Sequence, residues 1–137
     1  MRQCLASMAL PFPLRILAID DEPAILEVIA AHLSEEGHGV STARDGAEGL
    51  AHFQGGKWDL VLTDRIMPKM DGEELAAAIK TLNPETPVIM VSGSLDPSLP
   101  NRKPMPNVDW IIRKPFTLWR LRETIRAVLS PGDNDGV

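Results

Sequence analysis

Three features that often identify a function are scarce in this sequence: cysteine, clusters of basic residues and long apolar runs. Cys4 is the only cysteine, so an internal disulfide and a thiolate metal site are excluded, and a reducing compartment, the cytoplasm, is expected. The 14 lysine and arginine residues are outnumbered by 19 aspartate and glutamate residues, for a formal net charge of −5. This acidic balance argues against non-specific binding to the phosphates of nucleic acids.

The apolar stretch at the amino terminus is too short to span a bilayer. In "MRQCLASMALPFP" it is interrupted by Ser7 and stopped by Pro11 and Pro13, and the three-region pattern of a signal peptide is largely missing. We therefore predict that residues 1–13 form a flexible extension and that the protein has no membrane partner.

Five short apolar runs recur along the 137 residues, and segments with helical spacing lie between most of them. The runs are "LRILAID", "GVSTA", "WDLVLTD", "TPVIMVSG" and "DWIIRKPF". Runs without polar alternation are typical of a parallel sheet that is covered by helices on both faces. The pattern predicts a doubly wound α/β domain over residues 14–130, followed by a polar, disordered tail over residues 131–137.

The first helical segment, "EPAILEVIAAHLSEEG", carries both a start and a stop signal. Pro23 suits a first helical turn, Ile25, Ile29 and Leu33 are spaced four apart, and Gly37 suits a C-terminal cap. Three further segments have the same kind of pattern, namely "GAEGLAHFQGG", "DGEELAAAIKTL" and "TLWRLRETIRAVL".

The alternation of strand and helix fails once, between the fourth and fifth apolar runs. Prolines at positions 97, 100, 104 and 106 interrupt this segment, and an interior proline costs a helix about 3 kcal/mol. We predict that the helix expected here is short, irregular or absent.

Polar side chains follow four of the five runs, at the point where each predicted strand ends. They are Asp20, Asp21 and Glu22 after the first run, Asp64 after the third, Ser92 after the fourth and Lys114 after the fifth. In open α/β sheets ligands bind beyond the carboxyl ends of the strands. Carboxylates that hold Mg²⁺, together with a hydroxyl and an ammonium group, are suited to phosphoryl transfer, with one carboxylate as nucleophile.

Simpler interpretations exist for these residues. A lone aspartate at a strand end is often a turn or helix-cap residue, and one of Asp20 and Asp21 is expected to help cap the first helix. The histidines, His32, His38 and His52, lack the spacing of metal ligands and are predicted to be structural or surface residues. Because four predicted strand ends carry polar side chains suited to the same chemistry, we favour a functional interpretation for Asp64.

Four pieces of the sequence, taken in order, resemble the receiver domains of two-component response regulators. They are "ILAIDDEP", "DLVLTDRIMPKMDG", "PVIMVSG" and "IIRKPF". The resemblance covers about residues 14–130 and implies a flavodoxin-like sheet with strand order 2-1-3-4-5. It also implies a phosphorylation-dependent switch rather than a conventional enzyme.

The resemblance assigns the metal site residue by residue. It makes Asp64 the phosphoacceptor and a ligand of Mg²⁺, Asp21 the main direct ligand, and Asp20 a ligand that acts through water. The backbone carbonyl of Ile66, two residues after the acceptor, is implied as a further ligand.

The resemblance also assigns the contacts to the phosphoryl group. Ser92 is implied as the switch hydroxyl and Lys114 as the salt-bridge partner of the phosphoryl oxygens. In this family the peptide bond between this lysine and the following proline, here Pro115, is typically cis.

Three positions depart from the family pattern. Ile111 occupies the place three residues before the lysine where many members carry tyrosine or phenylalanine, and Trp110 precedes it. The proline-rich segment resembles that of receivers attached to hybrid histidine kinases and of some single-domain regulators. Arg65 directly follows the acceptor, and the sequence leaves open whether it reaches an acidic neighbour or is solvated.

Three functions follow from these observations. The first is a signalling switch that receives a phosphoryl group from a histidine kinase or a histidine phosphotransfer protein and acts on a protein target, without direct contact to nucleic acid. The second is a small Mg²⁺-dependent phosphohydrolase, which needs an aspartate where Ile66 stands. The third is a receiver-shaped interaction module that is never phosphorylated.

Overall fold

A computed structural model of the chain describes residues 13–93 and 106–129. Strands and helices alternate along most of this length. In chain order they are β1 (Arg15–Ile19), α1 (Pro23–Glu35), β2 (Gly39–Ala43), α2 (Gly46–Gln54), β3 (Leu60–Asp64), α3 (Gly72–Leu82), β4 (Val88–Ser92), β5 (Trp110–Arg113) and α4 (Leu118–Leu129).

The five strands form one parallel sheet with the order β2-β1-β3-β4-β5. This confirms the predicted doubly wound α/β fold and its strand order 2-1-3-4-5. Residues 1–12 of the predicted extension, residues 97–105 of the proline-rich segment and the predicted tail lie outside the described residues. Among the described helices, none is long and apolar enough to cross a bilayer.

Two apolar cores lie on opposite faces of the sheet, because successive strand side chains point to opposite sides. Ile16 and Ala18 of β1 face a core that is covered by α1 and α4, and Leu17 and Ile19 face a core that is covered by α2 and α3. Every residue of β3 and β4 is buried. Burial on both faces explains why the strand sequences are apolar throughout.

The two ends of α1 agree with the predicted roles of Pro23 and Gly37 but not with the predicted aspartate cap. Pro23 lies in the first turn, and Gly37 just beyond the C-terminal end adopts a left-handed conformation with φ of +98°. The expected cap from Asp20 or Asp21 is wrong, because Glu22 is the N-cap residue and no side chain makes a capping hydrogen bond. The Asp20 carboxylate accepts instead from the Glu22 backbone N–H, which orders the loop before the helix.

Helix α3 starts with a reciprocal capping box. The Asp71 carboxylate accepts from the Glu74 backbone N–H at 2.9 Å, and the Glu74 carboxylate accepts from the Asp71 backbone N–H at 3.1 Å. This pattern satisfies two backbone donors that the helix itself cannot. The start of α3 is therefore well defined directly after the loop that follows β3.

Candidate functional site

The carboxyl ends of β1, β3 and β5 bring four charged side chains together. The Lys114 Nζ atom lies 3.3 Å from Asp20 Oδ2, 3.4 Å from Asp64 Oδ2 and 3.5 Å from Glu22 Oε1. The Lys114 ammonium group is thus within ion-pair distance of three carboxylates. The peptide bond between Lys114 and Pro115 is cis, as predicted.

Asp64 is held at the centre of this edge by the strand it ends. Its side chain is almost fully buried, and its Oδ1 accepts from the Arg65 backbone N–H at 3.0 Å. The Arg65 N–H is also directed at the Val91 carbonyl of β4, at 2.9 Å. Parallel pairing on both sides of β3 therefore fixes where the Asp64 carboxylate can lie.

The electrostatics of the site follow from burial and from like charges. Burial raises the pKa of Asp64 to about 6, with a further contribution from the repulsion of Asp20, while Lys114 acts in the opposite direction. Burial likewise raises the pKa of Asp20. Burial alone would lower the pKa of Lys114, but attraction by Asp64, Asp20 and Glu22 outweighs it and raises that pKa.

Three carboxylates converge closely enough to share a cation. One oxygen each of Asp20, Asp21 and Asp64 lies within 4.8 Å of the others, with Asp21 exposed and the other two buried. Carboxylate oxygens are the ligands that Mg²⁺ prefers. The residues fit a divalent metal, since a cation would stabilise the ionised forms of the two buried carboxylates, whose pKa values are raised mainly by burial.

Two further predicted site residues, Ser92 and Ile66, stand at the end of β4 and just after the end of β3. Ser92 ends β4, is buried, and accepts from the Lys114 backbone N–H through its carbonyl oxygen at 2.8 Å. Ile66 stands two residues beyond Asp64 with its side chain 72% exposed. At the position where a phosphohydrolase needs an acid, the chain therefore presents a solvent-facing apolar group.

Two contacts of the site were not foreseen from the sequence. Glu22 was noted only as part of the acidic run, yet it joins the carboxylates around Lys114. Arg65, whose surroundings the sequence left open, pairs with Glu73 in the first turn of α3 at 2.8 Å. The only sequence signal for this pair is a cation directly after the acceptor and an acid just inside the next helix.

The histidines stay outside the site, in agreement with the prediction that they are structural or surface residues. His38 is buried, and its Nδ1 accepts from the Leu14 backbone N–H at 2.9 Å. His32 lies 3.8 Å from Glu36, just beyond the end of α1, and His52 lies 3.7 Å from Glu48 on α2.

The chain resembles known proteins over nearly its whole described length. The family model of the response regulator receiver domain matches residues 16–126. The transcriptional regulatory protein TcrA of Mycobacterium tuberculosis is 34% identical over 120 residues, which cover 86% of this chain and 47% of that protein. The chain thus spans about half the length of this relative.

Solved structures agree with the sequence match. The chemotaxis response regulator CheY4 of Vibrio cholerae has a TM-score of 0.78 at 28% identity, covering 85% of this chain and 99% of that one. The response regulator TrrA of Thermotoga maritima, in complex with Mg²⁺ and BeF, has a TM-score of 0.72 at 32% identity, covering 83% and 97%. Together with the acidic edge of the sheet, these matches show that the chain belongs to the response regulator receiver domains of two-component systems, a family of phosphorylation-dependent switches.

Proposed function

We propose that this domain accepts a phosphoryl group on Asp64 in a Mg²⁺-dependent reaction and that the product changes the affinity for a protein partner. The observation that carries the proposal is the position of the Asp64 carboxylate, which has oxygens of two further carboxylates within 4.8 Å and the Lys114 ammonium group at 3.4 Å. A nucleophilic carboxylate with cations on either side is the arrangement that aspartyl-phosphate chemistry needs.

The proposed metal ligands are Asp20, Asp21, Asp64 and the backbone carbonyl of Ile66. Support comes from the three converging carboxylate oxygens and from the Mg²⁺ and BeF complex of the Thermotoga relative. When bound, Mg²⁺ supplies positive charge that stabilises the phosphoryl oxygens.

The groups of this chain have two roles in the transfer: one attacks phosphorus, and the others contact the phosphoryl oxygens. An oxygen of Asp64 forms the new bond to phosphorus as the bond from phosphorus to the donor breaks, and the donor's leaving group departs with the electron pair. Lys114 is close enough to neutralise charge on the phosphoryl oxygens, and we assign the hydroxyl of Ser92 as a further contact. Movement of Ser92 and Lys114 onto the new anion is the proposed start of the conformational change.

The proposed donor is a histidine kinase or a histidine phosphotransfer protein, and the proposed target is a protein. Receiver domains interact with histidine kinases as a family. The net charge of −5 disfavours direct contact between this domain and nucleic acid.

The test is intact-mass analysis after incubation with acetyl phosphate and Mg²⁺. We expect one added phosphoryl group on the wild type, and none on Asp64→Asn or when Mg²⁺ is chelated. Asp71→Asn is the matched control, because asparagine retains the helix cap, and it should be labelled like the wild type. A labelled Asp64→Asn variant would contradict the assignment of the acceptor.

An unlabelled wild type would call for a second measurement. Tight beryllofluoride binding combined with steady release of inorganic phosphate from acetyl phosphate would indicate rapid hydrolysis of the phosphoaspartate. No beryllofluoride binding would instead support an interaction module that is never phosphorylated.

A further inference from the structure

Glu22 is the exposed member of the three carboxylates that face Lys114. Its Oε1 atom lies 3.5 Å from Lys114 Nζ, and 61% of its side chain is exposed. The side chains of Asp20 and Asp64 are only 5% and 11% exposed. Glu22 is therefore the partner of Lys114 that solvent reaches most easily.

The backbone of Glu22 is fixed relative to the site. Its N–H donates to Oδ1 of Asp20 at 2.9 Å, and its carbonyl oxygen accepts from the N–H groups of Ile25 and Leu26 in the first turn of α1. Glu22 is the N-cap residue of this helix, yet within the described residues its side chain makes no capping hydrogen bond. The Glu22 carboxylate is thus carried on a defined backbone and contacts Lys114 rather than the helix.

The three carboxylates around Lys114 differ in their proposed roles. The three converging oxygens that fit a cation belong to Asp20, Asp21 and Asp64, and Asp64 is also the proposed acceptor. Glu22 has neither role. In the proposed mechanism Lys114 moves onto the phosphoryl oxygens, whereas the negative charge of Glu22 attracts the same ammonium group. A carboxylate and a phosphoryl group therefore require one cation.

We propose that Glu22 competes with the phosphoryl group on Asp64 for the Lys114 ammonium group and so weakens the phosphorylated state. The inference rests on the proposed function of Asp64. Glu22 is a positioning residue, because it acts through Lys114 and does not touch the reacting atoms. The competition requires contact between the two side chains and not only a negative charge near the site.

The test is the affinity for beryllofluoride at saturating Mg²⁺, measured by ¹⁹F NMR for the wild type, Glu22→Gln and Glu22→Asp. Aspartate keeps the charge but is shorter by one carbon–carbon bond, about 1.5 Å, so its carboxylate no longer reaches Lys114. We expect both variants to bind beryllofluoride about threefold more tightly than the wild type, the factor for one exposed ion pair.

Two results would overturn the competition. If Glu22→Gln binds more tightly but Glu22→Asp binds like the wild type, the negative charge alone is responsible. Unchanged or weaker binding in both variants would show that Glu22 does not withhold Lys114 from the anion. Glu27→Gln is the matched control, because it removes the charge of another exposed glutamate further along α1, and it should change the affinity much less than Glu22→Gln.

A second readout needs neither metal nor phosphodonor. In metal-free buffer, a double-mutant cycle compares the effect of Glu22→Gln on urea unfolding in the wild type and in Lys114→Gln. In the wild type the substitution removes an attraction to Lys114, whereas in Lys114→Gln it removes only repulsion from the neighbouring aspartates. The urea midpoint should therefore shift further toward stability in the Lys114→Gln background. Equal shifts in both backgrounds would show that the two side chains do not interact and would overturn the competition.

The wild type distinguishes the failure of this inference from failure of the proposed function. If the wild type is not labelled on Asp64 and binds no beryllofluoride, the proposed function fails and the competition fails with it. If the wild type is labelled and binds beryllofluoride, but both Glu22 variants bind this anion with wild-type affinity, only the competition is wrong.

Discussion

At the scale of single residues, the site around Asp64 holds more negative charge than its one lysine can balance. Asp20 and Asp64 are buried among apolar strand ends, and burial raises both pKa values. The metal-free domain therefore carries a charge that is unfavourable for folding, and we attribute its presence to the proposed phosphoryl transfer. Functional sites often reduce stability in this way.

The first prediction concerns Asp64→Asn in metal-free buffer. The folded-state pKa of about 6 exceeds the ordinary aspartate pKa of 3.8, so the folded state keeps this proton to higher pH than the unfolded chain does. Protonated Asp64 therefore stabilises the folded wild type at low pH. This contribution is lost, relative to the variant, as pH rises from about 4 through 6. At pH 7 we expect Asp64→Asn to be more stable by on the order of 1–3 kcal/mol, measured by urea unfolding.

Two comparisons test the cause of this difference. The gap between the two proteins should close toward pH 4, where Asp64 is protonated in the folded wild type. Added Mg²⁺ should stabilise the wild type more than the variant, because a metal that binds only the folded state stabilises it. A gap that is constant with pH would mean that the charge of Asp64 is not its source.

The second prediction concerns the buried imidazole of His38. Burial lowers the pKa of His38 below the ordinary histidine pKa of 6.5, although nearby Glu36 acts in the opposite direction. Its neutral Nδ1 accepts from the Leu14 N–H, and protonation would abolish this bond. As pH falls, the imidazole is protonated at higher pH in the unfolded chain than in the folded domain. The stability contributed by neutral His38 is therefore present above pH 6.5 and is lost as pH falls below it.

The variant His38→Gln provides the measurement, since a glutamine oxygen can still accept from Leu14 but does not titrate. Between pH 7 and pH 5 the unfolding free energy of the wild type should fall relative to that of His38→Gln. Parallel pH profiles would show that His38 is not held neutral in the folded state.

At the scale of elements, the start of α3 packs directly against the end of β3. A Cβ atom at Gly72 would collide with the Asp64 carbonyl oxygen and would lie 2.9 Å from Arg65 Cα and 2.8 Å from Met90 Sδ. Only glycine permits this approach, which brings Glu73 to Arg65 and fixes the strand end that carries the acceptor. The loop from β3 to α3 is thus part of the site's framework.

The third prediction is that Gly72→Ala loses both stability and reactivity. Relief of the clash must move either α3 or the end of β3, and overpacking of this kind costs about 1–3 kcal/mol. We expect a corresponding loss in urea unfolding and slower labelling of Asp64 by acetyl phosphate. Gly56→Ala is the control, because its Cβ would meet nothing closer than Trp58 at 3.5 Å; an equal loss in both variants would contradict the packing argument.

At the scale of the whole molecule, the sheet joins two cores that have different helices but share the same strands. The first core contacts α1 and α4 and the second contacts α2 and α3. The acidic cluster lies at the carboxyl edge of this sheet, so both cores support the strands that carry it. Lys80 ties α3 to the loops before β4 and β5 through the Thr86 carbonyl and the Asp109 carboxylate.

Much of this organisation could be predicted because its signals are local. Apolar runs mark β1 and β3, and Pro23 and Gly37 mark the ends of α1. The acids and the lysine could be assigned to one edge because parallel strands end on the same side. The cap expected from Asp20 or Asp21 was wrong because the Asp20 carboxylate faces Lys114, a residue far along the chain.

The sequence by itself thus determined the order of the elements, the sheet and the residues at its carboxyl edge, since periodicity and turn chemistry depend on neighbouring residues. Only the tertiary structure decided which charges pair: Arg65 with Glu73, Lys114 with three carboxylates, and Lys80 with Asp109. It also decided that His38 is buried against Leu14. The physical reason is that side-chain partners and burial depend on how elements pack in space, and no local pattern records that packing.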